Sequence, residues 1–153
     1  MLWCCPYTNS RVISFVIILT PDDFLEYDFL QNADHVFYDP TYAVPKLSWL
    51  TGDFYRFYEA ELKRFGITGW DKRFDCDDFS GFYKICAQIC HKNSYSRAKG
   101  IAVAEVIYVQ RNLGLHAINA AVTDFGLVFI EPQTNSVLTL SDNEKASISF
   151  FRV

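Results

Sequence analysis

The hydrophobic period of this chain changes at Gly100. Before that point apolar residues recur at three- and four-residue steps. Leu47, Leu50, Phe54, Phe57, Tyr58, Leu62 and Phe65 make one such stripe, and Phe79, Phe82, Tyr83, Cys86, Ile89 and Cys90 make another. This is the spacing of a helix that buries one face. After Gly100 come short runs rich in strand-forming residues, over 101–109, 115–122, 126–131, 137–140 and 147–153. Turn residues such as Thr123-Asp124-Phe125-Gly126 separate them. Short connections favour antiparallel pairing. Helices first and a meander of strands second predict an α+β domain, with N-terminal helices packed on an antiparallel β-sheet. At 153 residues the whole chain, 1–153, fits one domain with a real core. No internal repeat or low-complexity linker divides it.

The helical half has its own punctuation. Pro21 to Phe29 reads as a short helix or turn, in which Pro21 suits a first helical position and Asp22, Asp23 and Glu26 sit where a helix dipole favours anions. The stretch 31–45, broken by Pro40 and Pro45, reads as an ordered loop. In it Phe37, Tyr38 and Tyr42 serve a satellite core, and His35 is a lone surface residue. In 46–65, Gly52 marks a break, Asp53 an N-cap and Gly66 a C-cap. Glu61 and Arg64 can pair on the outer face. Asp75 to His91 predicts a second helix, weakened locally by Ser80 and Gly81.

The apolar run 12–19 is far too short to span a bilayer as a helix. It follows Arg11 and precedes Pro21-Asp22-Asp23, with no small-residue cleavage site, so it predicts a buried strand. Trp3, Cys4 and Cys5 before it carry no assigned role. Half of the residues are hydrophobic, which excludes a disordered chain. The net charge is -4, and Lys92, Arg97 and Lys99 form only a small basic cluster, read as a solvated loop. Nucleic acid is therefore not an expected partner. The five cysteines make no disulfide framework and no C-x-x-C pair. Cys86 and Cys90 read as small core residues. This usage points to a reducing, cytoplasmic compartment.

Three stretches carry chemistry. Phe74-Asp75-Cys76-Asp77-Asp78-Phe79 sets a thiol at a helix start, where exposed N–H groups favour a thiolate. Its carboxylates work against that unless an imidazolium or a divalent cation offsets them. An oxygen-rich cluster of this kind suits a hard cation, while first-turn decoration of the helix explains Asp77 and Asp78 equally well. Leu115-His116-Ala117-Ile118-Asn119 places a histidine in a strand, with His116, Ile118 and Ala120 on one face. Ile130-Glu131-Pro132-Gln133-Thr134 ends the next strand, and the 123–126 hairpin can set Glu131 beside His116. Cysteine, histidine and carboxylate are the parts of a thiol nucleophile, its base and its orienting group. A core histidine and a solvent-facing glutamate are the plainer readings of the last two.

Asp75-Cys76-Asp77-Asp78-Phe79, His116-Ala117-Ile118-Asn119 and Phe129-Ile130-Glu131-Pro132-Gln133-Thr134 resemble the C-terminal domain of the Marasmius oreades agglutinin and its relatives, over about residues 40 to 140. The resemblance implies a papain-like fold and a calcium-dependent cysteine peptidase with a Cys-His-Glu catalytic triad. Cys76 would be the nucleophile, His116 the base and Glu131 its orienter. Asp75, Asp77, Asp78 and Gln133 would bind Ca2+ (or Mn2+) or position the loop. Trp70, six residues before Cys76, would sit where an oxyanion donor is kept, although its plainer role is to cap the core. The β-trefoil sugar-binding module of that agglutinin has no counterpart in these residues.

The leading expectation is thus a thiol protease acting on a peptide or protein through a thioester, with a homodimer as a compatible assembly and no membrane span. The alternative is a catalytically inert binding or structural module, for example in a viral or phage particle. A third reading is an amidase or acyltransferase that uses the same triad.

Overall fold

The structure is a computed structural model that describes residues 13–94 and 96–153. The readings that fall on Trp3, Cys4, Cys5, Arg11 and Val12 lie outside the described residues.

The described residues begin with a strand, β1 (Ile13–Leu19), as the apolar run predicts. Ile17 and Ile18 are about half exposed (49% and 46%), so the expectation that this run is wholly buried is corrected. Helix α1 (Pro21–Leu25) follows, with Pro21 in its first turn as the sequence predicts. Thr20 closes that turn: its N–H and its hydroxyl both donate to Asp23 Oδ2, at 2.6 and 2.8 Å. A 3-10 turn covers Asp28–Asn32. The expected loop over 31–45 contains two short strands, β2 (Asp34–Val36) and β3 (Tyr42–Pro45). Tyr42 is buried there, whereas Tyr38 is 64% exposed.

α2 (Leu47–Trp49), a π-helical turn (Leu50–Phe54) and α3 (Tyr55–Arg64) run on without interruption. The break expected at Gly52 is absorbed by the wider π turn. Asp53 accordingly lies inside the helix, pairing with Arg56, and is not an N-cap. Gly66, at φ 74°, ends α3 in the left-handed conformation that glycine adopts without strain. Glu61 and Arg64 pair at 3.3 Å as expected. α4 (Cys76–Lys92) is the longest helix among the described residues.

The remaining strands are β4 (Gly100–Ile101), β5 (Val103–Gln110), β6 (Gly114–Thr123), β7 (Gly126–Glu131) and β8 (Ser136–Leu138). α5 (Asp142–Ala146) and β9 (Phe150–Arg152) complete the chain. They form two sheets, ordered β1-β3-β4 and β2-β9-β5-β6-β7-β8. β5 to β8 make the expected antiparallel meander. The rest corrects the expectation of N-terminal helices on an antiparallel sheet. β3 pairs with β4 in parallel, and so does β2 with β9, so both sheets are mixed. β9 does not extend the meander past β8 but inserts between β2 and β5. The physical reason is Phe151, only 1% exposed, whose ring meets those of Phe24 and Phe37 at 6.0 and 6.4 Å. Beside β8, where Val137 is half exposed, that ring would lose its burial.

Two apolar clusters flank the larger sheet. Phe57, Tyr58, Phe79, Tyr83 and Cys86 from α3 and α4 pack with Ala121 and Ile130. Phe24, Leu30 and Tyr42 from the N-terminal segment pack with Tyr108, Ile118, Ala120 and Phe129. The strand residues in the two groups alternate, as the pleat requires.

A buried polar clamp fastens α4 to β6. The Ser80 hydroxyl donates to the Ile118 carbonyl at 2.8 Å. The Asn119 amide donates to the carbonyls of Ser80 (3.0 Å) and Ala104 (3.1 Å). Ser80 and Asn119 are both fully buried. The serine that weakens the helical pattern in sequence is therefore the residue that docks the helix.

Glycine matters in opposite ways at two positions. A Cβ on Gly100 would come within 2.8 Å of Asp39 Oδ2 and the Tyr42 ring, where β4 crosses β3. On Gly81, inside α4, it would meet nothing within 4 Å. Gly100→Ala should therefore destabilise the fold by about 1–3 kcal/mol in urea unfolding. Gly81→Ala should stabilise it by about 0.5–1 kcal/mol.

Candidate functional site

The first part of the site is the head of α4. Asp75 is the N-cap, and its N–H donates to Asp78 Oδ2 at 3.1 Å. Asp78 thus serves the helix start, the plainer of its two sequence readings. Cys76 takes the first helical position as a free, half-buried thiol. Oxygens of Asp75 and Asp77 and the Cys76 sulfur all lie within 4.8 Å of one another. A hydrogen bond with Asp75, then desolvation, holds the Asp77 carboxyl above its usual range. Asp75 Oδ1 is buried and accepts no hydrogen bond. A buried carboxylate oxygen without a donor is costly unless something positive meets it.

The second part is the end of the β6–β7 hairpin. His116 Nε2 and Glu131 Oε2 lie 2.7 Å apart, with side chains 17% and 14% exposed. The hairpin geometry read from the sequence is thus present. Glu131 Oε1 also accepts the Gln133 N–H at 3.2 Å. The His116 ring stands edge-on to Tyr108, its cross-strand neighbour, at 5.9 Å. The β7–β8 turn is sewn to the π turn and α3. The Tyr55 hydroxyl donates to the Gln133 carbonyl at 3.3 Å, and the Asn135 amide to the Thr51 carbonyl at 2.7 Å. Gln133 is therefore a residue of this turn, tied to Tyr55 and Glu131. Tyr55 and Asn135 were not singled out by the sequence; a positive φ of 60° at Asn135 is the kind of turn role asparagine often fills.

The Ser80–Ile118–Asn119 clamp sets these two parts at the same end of the α4–β6 contact. Cys76 lies one helical turn before Ser80, and His116 two residues before Ile118. Among the described residues no hydrogen bond joins the Cys76 thiol to the His116 ring. A groove of about 380 Å³ runs alongside, lined by Tyr55, Leu62, Ile67, Gly69, Phe79 and Gln133. Trp70, the residue after Gly69, is 59% exposed. Its expected role as a core cap is corrected: the residue is largely exposed to solvent and does not line the groove.

Residues 53–137 match the family described as agglutinin C-terminal, which is more than half of the chain. The protein belongs to this agglutinin C-terminal family. Solved structures share its fold. One, described as the PSL1a–E64 complex, superposes with a TM-score of 0.68 at 20% identity, covering 89% of this chain and 50% of its own. Another is the Polyporus squamosus lectin bound to a human-type influenza-binding epitope, Neu5Aca2-6Galb1-4GlcNAc. It has a TM-score of 0.59 at 20% identity, with 79% of this chain and 42% of that one covered. The chain spans about half the length of these structures or less. No curated protein matches it.

These likenesses correct the functional expectation. The match to an agglutinin family backs the binding-module alternative over the thiol protease with a catalytic triad. The mixed, sheet-rich fold shared with these structures likewise replaces the expected papain-like one. Among the described residues no helix is long and apolar enough to cross a bilayer.

Asn135 allows the two supports of the β7–β8 turn to be separated. Asn135→Gly should lose the bond to Thr51 at a cost of about 1 kcal/mol. Asn135→Ala should cost about 1–2 kcal/mol beyond that, because it forces a Cβ into the left-handed region. Urea unfolding of the two variants measures the difference.

Proposed function

We propose that this chain is a non-catalytic binding module for a saccharide, carrying a divalent cation at the head of α4. Its membership of an agglutinin family is the observation that carries this reading. The Polyporus squamosus lectin, whose fold it shares, binds a sialylated trisaccharide, and we assign the same broad class of ligand here. The groove supports the assignment. Trp70, next in sequence to Gly69 of its wall, is an exposed aromatic residue of the kind that stacks on the C–H side of a sugar ring. Tyr55, Thr68, Gln133 and Thr134 bring polar groups to the wall beside it.

The cation, Ca2+ (or Mn2+), fits the residues present. Asp75 and Asp77 would hold it, and the unpartnered, buried Asp75 Oδ1 is the atom that calls for it. Bound there, it would neutralise the paired carboxylates and fix the start of α4. The His116–Glu131 pair keeps the β7–β8 turn, and Gln133 with it, in place.

Two measurements test this reading. Immobilised saccharides should retain the protein, and Trp70→Ala should lower that affinity about tenfold or more. Absence of saccharide binding contradicts the proposal, and so does cleavage of a mixed peptide library that the Cys76→Ala variant cannot perform. For the cation, the sign follows from Asp77. Its raised pKa means that the folded state favours the protonated carboxyl at low pH and loses that contribution as pH rises through the raised value. Calcium should offset this loss. It should raise the melting temperature at pH 7, do so much less at pH 4, and have no effect on Asp75→Asn/Asp77→Asn. An equal rise at both pH values would contradict the assignment.

A further inference from the structure

The last turn of α4 holds a buried histidine, His91, only 4% exposed. Its Nε2 lies 3.1 Å from the Ala98 carbonyl, and a carbonyl only accepts, so Nε2 carries the proton. In the neutral ring Nδ1 is then a bare acceptor. It is buried and, among the described residues, has no partner. A neutral ring tolerates this. An imidazolium would put a second N–H, and a full charge, where no acceptor meets it.

The charges around the ring do not relieve that cost. A cavity of about 410 Å³ opens beside it, and Lys84 and Lys92 of α4 and Lys99 of the following loop line that cavity. All three repel an imidazolium. Asp39, ahead of β3, is the carboxylate that acts on the ring, and the helix dipole also favours a cation there. Burial outweighs Asp39 and the Ala98 bond and holds the ring below its usual pKa.

The same ring is a fastening. The loop over 94–99 carries the chain from α4 to β4, and two side chains of the helix hold it. His91 donates to the Ala98 carbonyl, and the Gln88 amide donates to the Lys99 carbonyl at 3.3 Å. On its other side the Lys99 N–H donates to Thr41 Oγ1 at 3.2 Å. The bond from Nε2 survives protonation of the ring; the burial does not. Lifting this loop is the least disruptive way to bring water to an imidazolium here, because the sheet and the Ser80–Asn119 clamp stay in place.

From this arrangement we infer that His91 is a pH-sensitive latch: when its ring takes up a proton, the loop over 94–99 leaves the last turns of α4. The device lies at the far end of α4 from Cys76 and does not depend on the saccharide reading. Its sign follows from the two states. With the loop open the ring has its usual pKa of 6.5, and with the loop closed a lower one. The latch therefore holds fully above pH 6.5 and loses its hold as pH falls from there towards the lowered value. One proton is taken up, so the opening equilibrium grows by up to about tenfold per pH unit in that window.

Amide hydrogen exchange on the full chain reads the latch, expressed as protection relative to an unfolded chain at the same pH. Between pH 7.5 and pH 5 the Ala98 and Lys99 amides should lose protection about tenfold or more, while β6 keeps its own. His91→Gln retains a donor for the Ala98 carbonyl but cannot titrate, and its loop protection should stay constant over that range. NMR titration of the ring in the unaltered protein needs no variant: His91 should protonate below pH 6.5, in step with the loss of loop protection. Loop protection that ignores pH, an equal loss in His91→Gln, an equal loss in β6, or a ring that protonates at or above pH 6.5 would each overturn the proposal.

Discussion

One buried asparagine organises this molecule. Asn119 sits in β6 among Ala117, Ile118, Ala120 and Ala121 and spends both amide hydrogens on main-chain carbonyls, one in α4 and one in β5. Ser80 returns the contact from the helix to β6. Neutral hydrogen bonds contribute about 1 kcal/mol each in net stability, and breaking one partner of a buried pair costs about 1–3 kcal/mol. Their larger effect is on geometry. Apolar packing of Phe79, Tyr83 and Cys86 would tolerate a helix sliding along the sheet, because dispersion has little direction. The clamp permits one register, and that register decides where the head of α4 lies relative to His116 and Glu131.

The same helix then serves both of its ends. At its start the capping pair of Asp75 and Asp78 fixes the first turn and brings Asp77 into the acidic cluster. At its finish, the Gln88 and His91 contacts to Lys99 and Ala98 hold the basic wall. Opposite charges therefore occupy opposite ends, each of the sign that the helix dipole favours. At the acidic end three aspartates crowd one turn, more negative charge than a dipole worth about half an elementary charge can balance. The β7–β8 turn is held more loosely in sequence but firmly in space, through Tyr55 and Asn135.

Much of this was legible from residues alone. α3 and α4 announce themselves by period, and α4 begins at Cys76 as the Asp75–Phe79 stretch predicts. The His116–Glu131 contact follows from hairpin logic because Thr123 and Gly126 pair directly, with Gly126 at φ 86°. β2 and β3 were not legible. They are three and four residues long and gain strand geometry only from partners far along the chain, Phe150–Arg152 and Gly100–Ile101. The place of β9 is likewise set by the Phe151 ring and not by its own sequence. The functional miss has a different origin. Cysteine, histidine and glutamate in the right order describe parts and not their use, and a fold can keep such parts for binding or support.

Native-state hydrogen exchange on Asn119→Ala tests the role of the clamp most directly. If the clamp fixes helix on sheet, the variant loses protection in α4 and β6 together, while β8 and α5 keep theirs. If β6 alone loosens and the amides of α4 exchange as in the unaltered protein, apolar packing suffices to seat the helix and Asn119 does not set its register.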